Sequence, residues 1–226
     1  MNVLFVGLPL LIIVITLLIW FAGLQAKRAD FIRTYSFPAG LADRLGTHYP
    51  QLTAPDRQLV EAALRQFFLA YLKGGRRFVS MPSQVADDLW HEFILYTRHY
   101  QSFCRQAFGR FLHHTPAVVL GPNRQSNTGL RRVWWYACRE EQIEPQNPAR
   151  LPLLFAVDET LRIDGGFRYV PDCSGLGRDG GGSSTYCAGD MSSTDFDGTT
   201  DGFGDSSSGD GGDGDGDGGG GGCGGD

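Results

Sequence analysis

Between Ser83 and Pro116 the sequence SQVADDLWHEFILYTRHYQSFCRQAFGRFLHHTP gathers His91, His99, His113 and His114, four of the chain's five histidines, together with Asp87, Asp88 and Cys104. Imidazole, thiolate and carboxylate groups are the ligands that divalent transition metals take, and imidazole is the side chain that trades protons near neutral pH. His91 follows Asp87 by one helical turn, a spacing at which a carboxylate fixes the imidazole tautomer or raises its pKa. A fold that returns the His113-His114 pair to His91 would complete a small polar cluster. The candidate polar site is Asp87, Asp88, His91, Arg98, His113 and His114, with His91, His113 and His114 as candidate ligands of a divalent metal. The plainer reading is structural: His91 bonds a loop carbonyl, and one of the paired histidines caps a helix end.

Several established chemistries are missing. A zinc-protease H-E-x-x-H motif fails because Leu95 stands where the second histidine belongs. No nucleophile elbow, phosphate-binding glycine loop or dinucleotide fingerprint occurs in the region expected to fold. The run Asp213-Gly-Asp215-Gly-Asp217-Gly218 imitates the start of an EF-hand loop, but its twelfth position is Gly224 rather than a bidentate glutamate, so no specific calcium site is expected. An enzyme is therefore unsupported rather than excluded.

The elements that must position these residues are helical. With about 100° per residue, Val85, Leu89, Trp90, Phe93, Tyr96, Tyr100, Phe103 and Cys104 fall within about 140° of one another, whereas Asp87, His91 and Arg98 fall on the opposite side. This predicts one amphipathic helix from Ser80 or Ser83 to about Ala107, with Pro82 in its first turn and Gly109 as its stop. Leu89, Trp90, Phe93, Tyr100 and Cys104 form its core face. On such an unbroken helix His91 and Cys104 would lie about 20 Å apart along the axis, which removes Cys104 from any metal site.

Upstream, Thr53-Ala-Pro-Asp56 carries an N-cap, a first-turn proline and an acid three residues on. Leu59, Val60, Ala63, Leu64, Phe67, Phe68, Tyr71 and Leu72 then recur at helical spacing until Gly74-Gly75. Arg76 and Arg77 read as a solvated loop. Residues 30–50 read as a short helix or turn. Downstream, Ser126 or Asn127 caps a helix carrying Leu130, Val133, Trp134, Ala137 and Cys138, LLFAVDETLRI reads as a short helix, and Phe167–Val170 as a last extended piece. So little strand signal predicts an all-α domain.

The apolar run Val3–Leu24, 22 residues, is long enough to cross a hydrocarbon core of about 30 Å. It lacks the basic leading segment and the small-residue cleavage site of a secretory signal. Lys27, Arg28 and Arg33 follow it and no side-chain charge precedes it, which predicts a single-pass cell-membrane protein with its domain and tail in the cytoplasm. Residues 1–171 hold 19 Lys+Arg and 13 Asp+Glu, a net of +6, whereas residues 172–226 hold one arginine and 12 Asp, a net of −11, and 21 of the 32 glycines. The acidic balance thus belongs to the tail, and the scattered basic residues predict no specific nucleic-acid binding. Five cysteines without a C-x-x-C pair fit reduced thiols rather than a disulfide framework. The expected organisation is a transmembrane anchor over 1–26, a helical domain over 27–171, and a disordered Gly/Asp/Ser-rich tail over 172–226.

Val85-Ala-Asp-Asp-Leu-Trp90-His91, Leu95-Tyr-Thr97, Tyr100, Phe103-Cys104 and Leu112-His113-His114-Thr-Pro116 resemble the bacterial glycine-rich domain-containing protein-like family. Trp134, Ala137-Cys138, Leu153–Asp158 and Gly166–Val170 are similar to the rest of that domain, so the resemblance covers roughly residues 30–173. It brings no established activity. Plant proteins with a related domain are associated with development and stress responses, which implies interaction rather than catalysis. The function expected is a membrane-anchored, cytoplasm-facing interaction or scaffold module with a protein partner. The alternative is a metal-dependent protein or enzyme using the Asp/His cluster.

Overall fold

In the computed structural model, which describes residues 2–114, 128–171 and 185–187, seven helices follow in order: α1 (Asn2–Thr34), α2 (Leu41–His48), α3 (Ala54–Lys73), α4 (Gln84–Leu95), α5 (Thr97–Phe108), α6 (Thr128–Glu140) and α7 (Leu153–Thr160). The fold is all-α apart from one short parallel pair, β1 (Arg168–Val170) with β2 (Thr185–Cys187), in which Tyr169 stands opposite Tyr186. The strand β2 lies within the stretch expected to form the tail, 15 residues beyond Val170. A three-residue strand is stabilised by its partner's backbone groups, which a sequence window of that length does not reveal. The rest of the tail, including Asp213–Gly218, and the Ser126/Asn127 cap lie outside the described residues.

Helix α3 is the hub. Its Thr53 N-cap hydroxyl accepts from the Asp56 backbone N–H while the Asp56 carboxylate accepts from the Thr53 N–H at 2.8 Å, the reciprocal box that the sequence predicts. Val60, Leu64, Phe67, Phe68, Leu69 and Leu72 are all buried, so this helix is apolar around most of its circumference and packs against α1, α2, α4, α6 and α7. At its end Gly75 takes φ +74°, Arg77 is exposed, and the half-buried Arg76 gives Nη1 to the Phe108 carbonyl at 2.9 Å.

The helix predicted from Ser83 to about Ala107 is two helices. Tyr96, with φ −78° and ψ 57°, ends α4 and begins α5. Packing explains the break: on a continuous helix Phe93 and Phe103 would be about 15 Å apart along the axis, whereas folding at Tyr96 brings their ring centroids to 5.5 Å. Phe103 thereby reaches Phe68 at 4.8 Å, and α5 closes over the core instead of extending away from it. Ser83 is the N-cap, and Pro82 precedes the cap rather than occupying the first turn. The axial-distance argument against Cys104 does not hold for a broken helix, but Cys104 is buried at 1% exposure and burial pushes its thiol pKa up. Leu89, Trp90, Phe93 and Tyr100 are buried with it.

Within α1, Pro9–Thr34 is long and apolar enough to cross a membrane, and its side chains from Leu10 to Phe21 are exposed. The same helix runs without interruption past residue 26. Its last turns bury Ala29 and Ile32, set Phe31 5.9 Å from Phe103, and pair Arg33 with Glu140 at 2.7 Å. The apolar segment and the helical domain therefore share one helix.

Candidate functional site

The start of α4 is held by a buried acid from elsewhere in the chain. Ser83 donates its hydroxyl to Asp158 Oδ1 at 2.6 Å and accepts from the Ala86 N–H at 3.1 Å. Asp158, on α7 and 2% exposed, also accepts from the N–H groups of Gln84 at 2.7 Å, Val85 at 3.3 Å and Phe167 at 2.9 Å. Four donors, three of them at a helix N-terminus, stabilise its negative charge in the interior. The orientation of Asp87, in the first turn of α4, follows from this anchor.

The opposing side of the site comes from residues 111–114. After α5, Gly109 takes φ +74°, the left-handed cap that lets the chain turn back. Tyr100 donates its hydroxyl to the Leu112 carbonyl at 2.5 Å and accepts from Trp90 Nε1 at 3.1 Å. Burial pushes the Tyr100 phenol well above its usual range, so it stays a donor. This clamp seats His114, whose ring lies 4.7 Å from that of Trp90 and 4.2 Å from that of His91.

His114 Nε2 stands 2.9 Å from Asp87 Oδ1, and His91 Nδ1 stands 3.7 Å from Asp87 Oδ2. One ligand atom from each of Asp87, His91 and His114 falls within 4.8 Å of the others. Metal–ligand bonds of about 2.0–2.2 Å put neighbouring ligand atoms about 2.8–3.6 Å apart in octahedral or tetrahedral geometry. The 2.9 Å from His114 to Oδ1 of Asp87 falls in that range, whereas the His91 ring, 3.7 Å from Oδ2, must move inward to close the set on one ion. His114 is 13% exposed and His91 50%, leaving the outer side open to solvent.

The other candidate residues lie apart from these three. Asp88 accepts from the Tyr49 hydroxyl at 2.5 Å and from Gln84 Nε2 at 3.2 Å, on another side of α4. Burial, reinforced by Asp88, pushes the Tyr49 phenol above its usual range. Arg98 is exposed on α5, beyond the break. His113 is exposed with its ring 4.8 Å from Phe111, outside the ligand set.

Sequence reasoning missed Asp158, Tyr100 as a clamp, and the adjoining cavity. The position of Asp158, one turn after Leu154 on the face of α7 that buries Leu154, Phe155 and Val157, was the available signal. The cavity, about 310 Å³, is lined by Asp87, Trp90 and His114 and by Arg76, Arg77 and Arg110 among others.

A family model described as UCP032817-like matches residues 27–191, well over half the chain, and the chain belongs to that family. No curated protein and no solved structure matches it.

Proposed function

We propose that this chain is a single-pass membrane protein whose helical domain lies on the cytoplasmic side and holds a divalent transition metal at Asp87, His91 and His114. The observation that carries the reading is the convergence of two imidazoles and one carboxylate, from α4 and from the 111–114 segment, within 4.8 Å. Two nitrogens and one oxygen suit zinc, iron or manganese, and three protein ligands leave coordination positions for water or a substrate. The membrane part is supported by the length and composition of Pro9–Thr34, the orientation by Lys27, Arg28 and Arg33 following the apolar run. The pattern Trp90-His91, Phe103-Cys104 and His113-His114 supports a relationship to glycine-rich domain-containing proteins.

The test is Co(II) titration of the detergent-solubilised full-length chain, followed by visible absorption and metal analysis. One ion per chain is expected, with His113→Ala binding normally and His91→Ala, at an exposed position, weakening binding at least about tenfold. Equal uptake by wild type and His91→Ala would overturn the metal site. Reporter fusions at the C-terminus check the orientation, and activity outside the cytoplasm would reverse it.

A further inference from the structure

Helices α1 and α6 both pack against α3 and are joined by the Arg33–Glu140 pair, yet a groove of about 690 Å³ stays open between them. One wall is the part of α1 just past the apolar run, where Ala26 and Ala29 carry no side chain long enough to fill the space. The other is the stretch of α6 that carries Trp135, Tyr136 and Arg139, with Leu72 of α3 completing the lining. The volume falls within the range of ligand pockets, about 300–1,000 Å³.

Most of the charge along the groove is satisfied within the protein. Arg33 bonds Asp30 and Glu140, and Lys73 bonds Glu140, so two cations meet two carboxylates and this network adds no net charge. Arg139 is different. It is exposed, its guanidinium lies 5.5 Å from the centre of the Trp135 ring, and no carboxylate among the described residues pairs with it. Three residues earlier on α6, the half-buried Tyr136 hydroxyl has no hydrogen-bond partner among the described residues, and burial raises its pKa, so it stays a donor. A guanidinium stacked on a ring keeps its N–H edge for oxygens, and a phenol donor beside it suits a phosphate.

Position selects the occupant. At 1.5 Å per residue, Ala26 lies about 3 Å and Asp30 about 9 Å along the axis of α1 past Leu24, where the apolar run ends. The headgroup layer on each side of a hydrocarbon core is about 5–8 Å thick. With α1 in a bilayer, the groove therefore sits at the depth of lipid phosphates and glycerol esters, and it is lined by a tryptophan and a tyrosine, the residues enriched at that boundary.

We propose that the groove between α1 and α6 holds one phospholipid of the leaflet that the domain faces. Arg139 and Tyr136 take the phosphodiester oxygens, while Ala26, Ala29 and Trp135 cover the glycerol esters and the first methylenes. This rests on the membrane-spanning reading of α1 and is independent of any metal at Asp87, His91 and His114.

Native mass spectrometry of the detergent-solubilised full-length chain, mixed with phosphatidylglycerol or with diacylglycerol of the same acyl chains, tests this. One phosphatidylglycerol is expected to stay bound per chain, whereas diacylglycerol, which lacks the phosphate, is not. Arg139→Ala, and separately Ala26→Trp, which fills the groove from an exposed position, should each lower retention at least about tenfold. Equal retention of the two lipids, no retention at all, or retention unchanged in either variant with wild-type thermal unfolding would overturn the proposal. Flotation of the chain with phosphatidylglycerol vesicles reads the anchor by itself. A chain that floats but retains no lipid in detergent overturns the groove and leaves the anchor standing, whereas a chain that does not float overturns the anchor.

Discussion

The Asp158 carboxylate accepts the backbone N–H of Gln84 at 2.7 Å across 74 residues of sequence, so the C-terminal half of the domain caps the helix that carries Asp87 and His91. Replacing Asp158 by alanine strands three backbone N–H groups and the Ser83 hydroxyl in the interior. A loss of about 3 kcal/mol or more is expected, with about half of that for Asp158→Asn, which keeps one acceptor oxygen. Thermal unfolding of the detergent-solubilised variants measures it, and a shift near zero for Asp158→Ala would deny the cap its role.

Tyr100→Phe removes only an oxygen, but that oxygen satisfies both the Trp90 indole and the Leu112 carbonyl. The expected cost is about 1–3 kcal/mol in stability. Because Leu112 leads into His114, Co(II) affinity should fall several-fold even where the protein remains folded. Unchanged affinity would show that the 111–114 segment holds its place without the clamp.

Glu140 joins α6 to the end of α1 and to α3 through Arg33 at 2.7 Å and through Lys73. Burial by itself would raise its pKa, but the hydrogen bonds from Arg33 and Lys73 hold the carboxyl below its ordinary 4.5. A depressed folded-state pKa contributes stability that is complete above about 4.5 and is lost as pH falls through the folded value. Glu140→Gln should therefore cost about 1 kcal/mol at pH 7 and progressively less below pH 4.5, read from unfolding midpoints across that window.

Cys104 and Cys138 are buried at 1% and 0% exposure, and burial pushes both thiols up. Alkylation by iodoacetamide at pH 8, mapped by peptide mass spectrometry, should be at least about tenfold slower at these two positions in the native chain than after unfolding. Equal rates would mean that the core opens readily around α5 and α6.

The α3 boundaries were legible because they rest on local chemistry. Thr53 and Asp56 cap each other within one turn, and Gly74-Gly75 ends the helix where its apolar period stops. The break at Tyr96 was not legible, since no proline or glycine marks it. It exists because Phe93 and Phe103 both bury their rings against Phe68 of α3 and against each other, with Tyr100 against Phe93, which a straight helix cannot arrange. The same distinction runs through the candidate site. The one-turn spacing of Asp87 and His91 is a property of the sequence, whereas the choice of His114 over His113 depended on a turn at Gly109 and a hydroxyl from Tyr100.

By itself, then, the sequence determined the helical class, the apolar N-terminal segment, the caps of α3 and the burial of Trp90 and Cys104, all consequences of period and local hydrogen bonding. Tertiary structure decided where α4 ends, that Asp158 caps it, and that His114 meets Asp87 and His91 beside an arginine-walled cavity. Those relationships join groups dozens of residues apart, and their geometry is set by the packing of whole helices rather than by any spacing along the chain.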